Sequence, residues 1–293
     1  MEINLNNLFI VLKKRLWLIL LLQFFASISA IFYSLTATEL YTSESLLASS
    51  SKSNLNSSLG GLAALAGVSI GSSVDQSADS VEYVRSRSMV KHLLKIDPSI
   101  AKDIIAAKDY DKENQIIIYD EKIFKDDQWV RNPSKSTGTI EPHYLEVYLY
   151  YLDIVKAEYD KLSGFVILSV THVSPEFAHK LLSMIITQLN QIVKDQDIEE
   201  SKKAVDFLDS AVSDVGSFDL VASINKLAEK QIETQMLAQS QTHYVLKVID
   251  EPFVPITRSY PKRSMIVILT SIISFVIIIG LVLILDRKYI LEG

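Results

Sequence analysis

Two stretches of this 293-residue chain contain no Asp, Glu, Lys or Arg: Leu16 to Leu35 and Met265 to Leu285. Each runs about 20 residues, which as a helix rising 1.5 Å per residue spans roughly 30 Å, the thickness of a bilayer's hydrocarbon core. The second, IVILTSIISFVIIIGLVLIL, is apolar on every face, which argues against the competing reading of a buried globular helix. Both read as transmembrane helices. A cleaved signal peptide is the competing reading of the first run, with Lys13, Lys14 and Arg15 as its charged region. Against it, the run exceeds the usual apolar core of about 7 to 15 residues, and no Ala-x-Ala site follows cleanly.

Between the runs the pattern changes period repeatedly. Leu40 to Leu47 alternates, predicting a strand that leaves the first span. Ser49 to Ser77 is rich in Ser, Asn and Gly and encloses LGGLAALAGVSIG, a flexible or tightly packed connection. Val81, Val84, Met89, Leu93 and Leu94 recur near helical spacing and predict one helix over 77–96, ended by Asp97-Pro98. Residues 99–141 are mixed and charged, with Ile116 to Tyr119 the one strand to stand out, and Tyr144 to Tyr151 reads as a short helix.

Asp153 to Tyr159 and Phe165 to Thr171 form a hairpin pattern around a five-residue loop ending in Gly164. Ser174-Pro175-Glu176 supplies a capping serine, proline at the first helical position and an acid in the first turn, predicting a helix that runs to about Val212. After an interruption at Gly216-Ser217, a second helical stretch covers Leu220 to Gln239, so the pair forms a helical hairpin over about 175–240. Tyr244 to Asp250 reads as the last strand. The order strand, helix, strand, strand, helix, strand predicts an α+β fold: a split βαβ (ferredoxin-like) base with a long helical hairpin inserted, flanked by the two spans.

Charge sets the expected topology. Lys13, Lys14 and Arg15 precede the first span, and Arg287 and Lys288 follow the second, which places residues 1–15 and 286–293 in the cytoplasm and 36–264 in the periplasm. Arg258, Lys262 and Arg263 oppose this, but a long segment translocates largely regardless of such charges. The two tails are expected to be too short for a folded domain. Setting aside five basic and three acidic tail residues leaves 24 basic and 32 acidic ones, a net charge of −8 that argues against a nucleic-acid partner. Cysteine is absent, removing disulfides, thiolate nucleophiles and thiolate metal sites together.

Catalytic signatures are missing too. No phosphate-binding GxxxxGK[ST], no HExxH and no GxSxG occurs, so neither a cofactor, a metal nor a catalytic residue is expected. Asp109 and Asp111 could hold a cation, yet paired aspartates are common on surfaces. The histidines 92, 143, 172, 179 and 243 are scattered and read as surface or packing residues. In the spans, Ala26, Ala30 and Ser34 form a small-residue face at i, i+4, i+8, with Thr270 and Ser274 a shorter counterpart. Such faces allow close helix packing in lipid; the competing reading is that they only face lipid tails.

Several segments resemble the polysaccharide co-polymerases, the Wzz-type chain-length determinants. They are LGGLAALAGVSIG, VEYVRSRSMVKHLL, GFVILSVTHVSPEFAHKLLSMIITQLN, IETQMLA and YVLKVIDEPFVPITRSYPKR. The most specific is the last, with Pro252, Pro255, Ser259, Pro261 and Lys262, whose prolines hold a stiff extended path toward the second span. The resemblance implies a bacterial inner-membrane protein that assembles as a homo-oligomeric ring or bell. Such proteins act with a separate membrane polymerase on lipid-linked polysaccharide and set chain length for O-antigen-like polymers, without catalysis. It departs from larger relatives in its shorter hairpin and in showing no cytoplasmic tyrosine-kinase domain. Alternatives are a capsule or exopolysaccharide export component of the same family and, from another class, a two-span periplasmic sensory receptor or a membrane-tethered sugar enzyme.

Overall fold

Alternating burial builds a four-stranded sheet. β1 (Tyr41–Ser49) buries Tyr41, Ser43, Ser45 and Leu47, and β7 (Phe165–His172) buries Val166, Leu168, Val170 and His172. The computed structural model describes residues 13–50, 73–132, 138–213 and 218–285. It divides into two compact units: Tyr41–Ile256, and the residues flanking that segment, up to Leu40 and from Thr257.

In the Tyr41–Ile256 unit, α2 (Ser73–Val84) and α3 (Arg87–Ile96) replace the single helix expected over 77–96. Ser86 breaks it: extended at φ −78° and ψ 153°, it accepts the Met89 N–H on its own hydroxyl, so it caps a new helix instead of continuing the old one. Then follow α4 (Ile100–Ile105), β2 (Ala107–Asp111), β3 (Ile116–Tyr119), β4 (Phe124–Lys125) and β5 (Gln128–Trp129). After α5 (Tyr144–Ile154) come β6 (Val155–Tyr159), β7, α6 (Pro175–Ser213), α7 (Phe218–Ser240) and β8 (Leu246–Asp250). The glycine-rich stretch 59–71 and the break at 216–217 lie outside the described residues.

The main sheet runs β6-β7-β1-β8, with every neighbouring pair antiparallel. β1 and β7 are central, in register from Tyr41↔His172 to Ala48↔Phe165. The β6–β7 hairpin turns through Asp160–Gly164. There Gly164 takes φ +74°, a region open to glycine, and the Asp160 carboxylate accepts the Leu162 N–H.

Helices cover one face of this sheet. Ser174 starts α6 by accepting the Phe177 N–H, and Phe177, Ala178, Leu181, Leu182, Ile185 and Leu189 line the face that enters the core. Fully burying one such leucine or isoleucine contributes roughly 1.5–3 kcal/mol. Beyond Ile192 the helix carries its charged stretch to the surface, where Lys203 and Glu199 pair one turn apart. α7 packs back along α6. At their base Asn190 is buried: its Nδ2 donates to the Leu246 and Ile186 carbonyls, and its Oδ1 accepts the Val245 and Leu246 N–H groups. This side chain fixes where β8 starts, two residues later than the alternation from Tyr244 predicts.

Residues 97–131 dock through named contacts. His172 Nε2 donates to the Asp103 carbonyl, Lys180 pairs with Asp97, and Arg131 grips Glu146 with both terminal nitrogens. Tyr119, Phe124 and Trp129 stack edge to face, and Lys102 lies over two of those rings.

The other unit consists of α1 (Leu16–Thr36) and α8 (Arg263–Leu285), which pack together. Ile19, Ile278 and Val282 are buried between them. Trp17, Phe32 and Ile284 are each about 70–78% exposed, an arrangement unfavourable in water and natural in hydrocarbon. Both helices are long and apolar enough to cross a membrane.

Candidate functional site

The proline-marked segment is fastened at both of its ends by different means. In the α/β unit, β8 leaves its ladder at Asp250, because Pro252 has no N–H to offer β1. Two buried serines of β1 take over: Ser45 Oγ donates to the Asp250 carbonyl at 2.6 Å and Ser43 Oγ to the Phe253 carbonyl at 2.7 Å. Pro252 is half-buried and Pro255 buried, while Ile256 beside it is 96% exposed.

The boundary between the units falls at Ile256/Thr257, inside the motif. On the membrane-helix side, the Leu40 carbonyl accepts the N–H groups of Ser259 and Tyr260, and Leu40 N–H donates to the Tyr260 carbonyl. The Tyr260–Pro261 peptide is cis. Glu39 Oε1 accepts from Arg258 at 3.0 Å and from Arg263 at 2.9 Å, and Arg263 Nε reaches the Ser34 carbonyl. Pro261 is half-buried and Lys262 exposed. These bonds join the segment that follows α1 to the one that precedes α8.

Within the helix pair, Ala26, Ala30 and Ser34 are half-buried to buried on the side of α1 that also carries Ile19 and Gln23. On α8 the facing positions are Ser271, Ser274, Ile278 and Val282; Thr270, one position away, is exposed. Gln23 spans the gap, donating from Nε2 to Ser271 Oγ at 2.7 Å and to its carbonyl, and accepting from Ser274 Oγ at 3.1 Å. Ser271 thus fills the place that spacing gave to Thr270. Glutamine inside an uncharged apolar run is the signal for this cluster, as the charges at Glu39, Arg258 and Arg263 are for the knot above it.

The remaining candidates take local roles. Asp111 accepts the N–H groups of Glu113 and Asn114 and the Asn114 amide, which holds its carboxyl below the ordinary range; Asp109 bonds the next N–H. They shape the β2–β3 turn, and no group of three or more potential metal ligands occurs among the described residues. His143 caps α5, and His92 bonds Gln188. Buried His172 accepts the Ser174 N–H at Nδ1, which leaves the proton on Nε2; burial pushes its pKa down to about 4.

The chain thus combines two long apolar helices, each able to cross a membrane, with a mixed α/β unit. Residues 1–95, about a third of the chain, match the family of Wzz, the chain length determinant protein. The likeness carried by the sequence motifs is thereby found independently in the region that holds the first span, β1, α2 and most of α3. Among solved structures the chain is similar to a full-length bacterial polysaccharide co-polymerase, with 13% identity, 95% of this chain and 96% of that one covered, and a TM-score of 0.36. It is also similar to a fragment of WzzB, a polysaccharide co-polymerase from Salmonella Typhimurium, with 12% identity, coverage of 76% and 100%, and a TM-score of 0.33. No curated protein matches the chain.

Proposed function

We propose that this chain regulates the length of a bacterial surface polysaccharide, O-antigen-like in kind, from the inner membrane and without catalysing a reaction itself. The observation that carries the reading is the match of residues 1–95 to the chain length determinant family. In this reading the flanks of α1 and α8 are cytoplasmic and the α/β domain periplasmic. Copies of the chain assemble into a ring or bell that works with a separate polymerase on lipid-linked polysaccharide. The strand order β6-β7-β1-β8 supports a split βαβ, ferredoxin-like base. Pro252, Pro255, Ser259, Pro261 and Lys262 couple that base to the second span, and Ala26, Ala30, Ser34 and Ser274 let the spans approach.

Deleting the gene and measuring the length distribution of the surface polysaccharide tests the proposal. Loss of the modal length, restored by the intact gene, is expected; an unchanged distribution overturns it. Replacing Pro255 and Pro261 together by Ala should broaden the distribution while the chain still inserts, and normal lengths in that variant would remove the coupling role.

A further inference from the structure

Near the end of the helix pair that carries Glu39 and Arg263, α1 and α8 leave a groove of about 400 Å³ between them. Ile31, Leu35, Val267 and Ile268 form its apolar walls, and Ser34 and Arg263 also line it. Two polar groups there are incompletely used. Ser34 Oγ is buried with no hydrogen-bond partner, which is costly for a hydroxyl in hydrocarbon. Arg263 commits one N–H to the Ser34 carbonyl and one to Glu39, whereas a guanidinium offers five. Glu39 is shared with Arg258, and exposed Lys262 makes no ion pair among the described residues. By sequence, residues 37–40 and 257–264 carry one acid, Glu39, against Arg258, Lys262 and Arg263, a net charge of +2.

A groove that is apolar along its length and cationic at one end fits an amphiphile with an anionic, oxygen-rich head. A free anion would gain nothing from the apolar walls. A span from a second copy would bring no counter-charge, since neither Leu16–Leu35 nor Met265–Leu285 contains an acid. We propose that this groove binds one anionic phosphate-headed membrane lipid. Its tail lies along Ile31, Leu35, Val267 and Ile268, and its phosphate accepts from Arg263 and Ser34 Oγ with Lys262 at the rim. The inference rests on α1 and α8 lying in a membrane and goes beyond the length-control reading.

The test is native mass spectrometry of the full chain in detergent, titrated with phosphatidylglycerol, with diacylglycerol, which lacks the phosphate, or with inorganic phosphate. Phosphatidylglycerol should be retained and diacylglycerol not, and excess inorganic phosphate should fail to displace the lipid. Arg263→Gln should lower retention about tenfold, the usual scale for one charge-assisted bond. Ser34→Ala should lower it less, and Val267→Trp, which fills the groove, should abolish it. Cross-linking of Cys introduced at Ile19 and Ile278 shows whether each variant keeps its helices paired.

Equal retention of both lipids, displacement by inorganic phosphate, or retention unchanged in paired variants overturns the proposal. So does a photo-crosslinker at Ile268 that captures a second copy instead of lipid. Resistance to alkaline carbonate extraction reports separately on the membrane reading, and polysaccharide length on the functional one.

Discussion

Asn190 and Gln23 are both amides on helices, each turned toward a neighbouring element, and they differ in what they hold. Asn190 makes four bonds in the α/β unit, three of them to backbone at the start of β8. Gln23 makes three in the helix pair, all to serines of α8. In the α/β unit, loss of the amide strands backbone groups inside an apolar core. In lipid the helices keep their own backbone bonds when they separate, and serine hydroxyls find other carbonyls. The same chemical group should therefore matter far more in the first unit than in the second.

The largest effect is expected from Asn190→Leu, which keeps the volume and leaves the Val245 and Leu246 groups unpaired. Each buried orphan costs about 1–3 kcal/mol, so a loss of roughly 3–5 kcal/mol is expected, or about 10 °C in thermal unfolding of the detergent-solubilised protein. A change of less than about 2 °C would show that these backbone groups find other partners and would dissolve the contrast with Gln23.

Next comes the pH dependence set by His172. In the unfolded chain its imidazole takes up a proton below its ordinary value of 6.5; in the fold, burial delays this to about 4, against the Asp103 carbonyl bonded to Nε2. Between those values the unfolded state binds more protons, so stability present above pH 6.5 is lost as pH falls toward 4, by about 3 kcal/mol in all. Asp103, whose carbonyl His172 bonds, works in the opposite direction. Burial raises its carboxyl pKa, against the Tyr119 hydroxyl that bonds the charged form, so the fold holds that proton more readily. Thermal unfolding of wild type and His172→Gln at pH 7 and pH 5 measures the net result: the wild type should lose more stability on acidification. Parallel losses would remove His172 as the cause.

How much of this was legible depends on the distance over which each feature is encoded. The spans, the β6–β7 hairpin and the start of α6 follow from neighbours along the chain: an uncharged run, a glycine at φ +74°, a serine before proline. The break at Ser86 was equally local, but an apolar period that continued through it on both sides concealed it. Residues 99–141 resisted because their turns are made by the wrong residues for pattern reading. Asp126 and Asp127 both take positive φ, at 50° and 58°, in a two-residue hairpin usually marked by glycine. In the site, the proline segment was visible, while the serines that hold it lie more than 200 positions earlier in sequence. Spacing along one helix points to Thr270 but does not fix which side of that helix meets its partner, and the contact with Gln23 falls on Ser271.

Gln23→Leu brings the contrast to the helix pair itself. Polar contacts between membrane helices average about 0.6 kcal/mol and reach about 1.7, so a loss near 1 kcal/mol is expected. The chain has no cysteine, so Cys at Ile19 and Ile278 gives a clean disulfide readout of pairing. Its yield in the Gln23→Leu background should fall about fivefold under equilibrium exchange. A loss matching that of Asn190→Leu would mean that lipid offers the separated helices no substitute partners, and the proposed difference between the units would fail.

The smallest effect should come from Lys180, whose pair with Asp97 is short at 2.7 Å but sits at the surface, the lysine side chain 51% exposed. Its ammonium holds the Asp97 carboxyl below the ordinary range. That stabilisation is present above the ordinary carboxylate pKa and is lost as pH falls through the lowered one. Solvent screening and the entropy of fixing a lysine reduce its value to within about 0.5 kcal/mol, and salt reduces it further. Lys180→Met should therefore shift unfolding by no more than about 2 °C, and less in molar salt. A larger shift, insensitive to salt, would show that the lysine stem packs residues 97–131 onto α6 by apolar contact. The docking of that region would then belong with the Asn190 class of interaction instead of with the surface pairs.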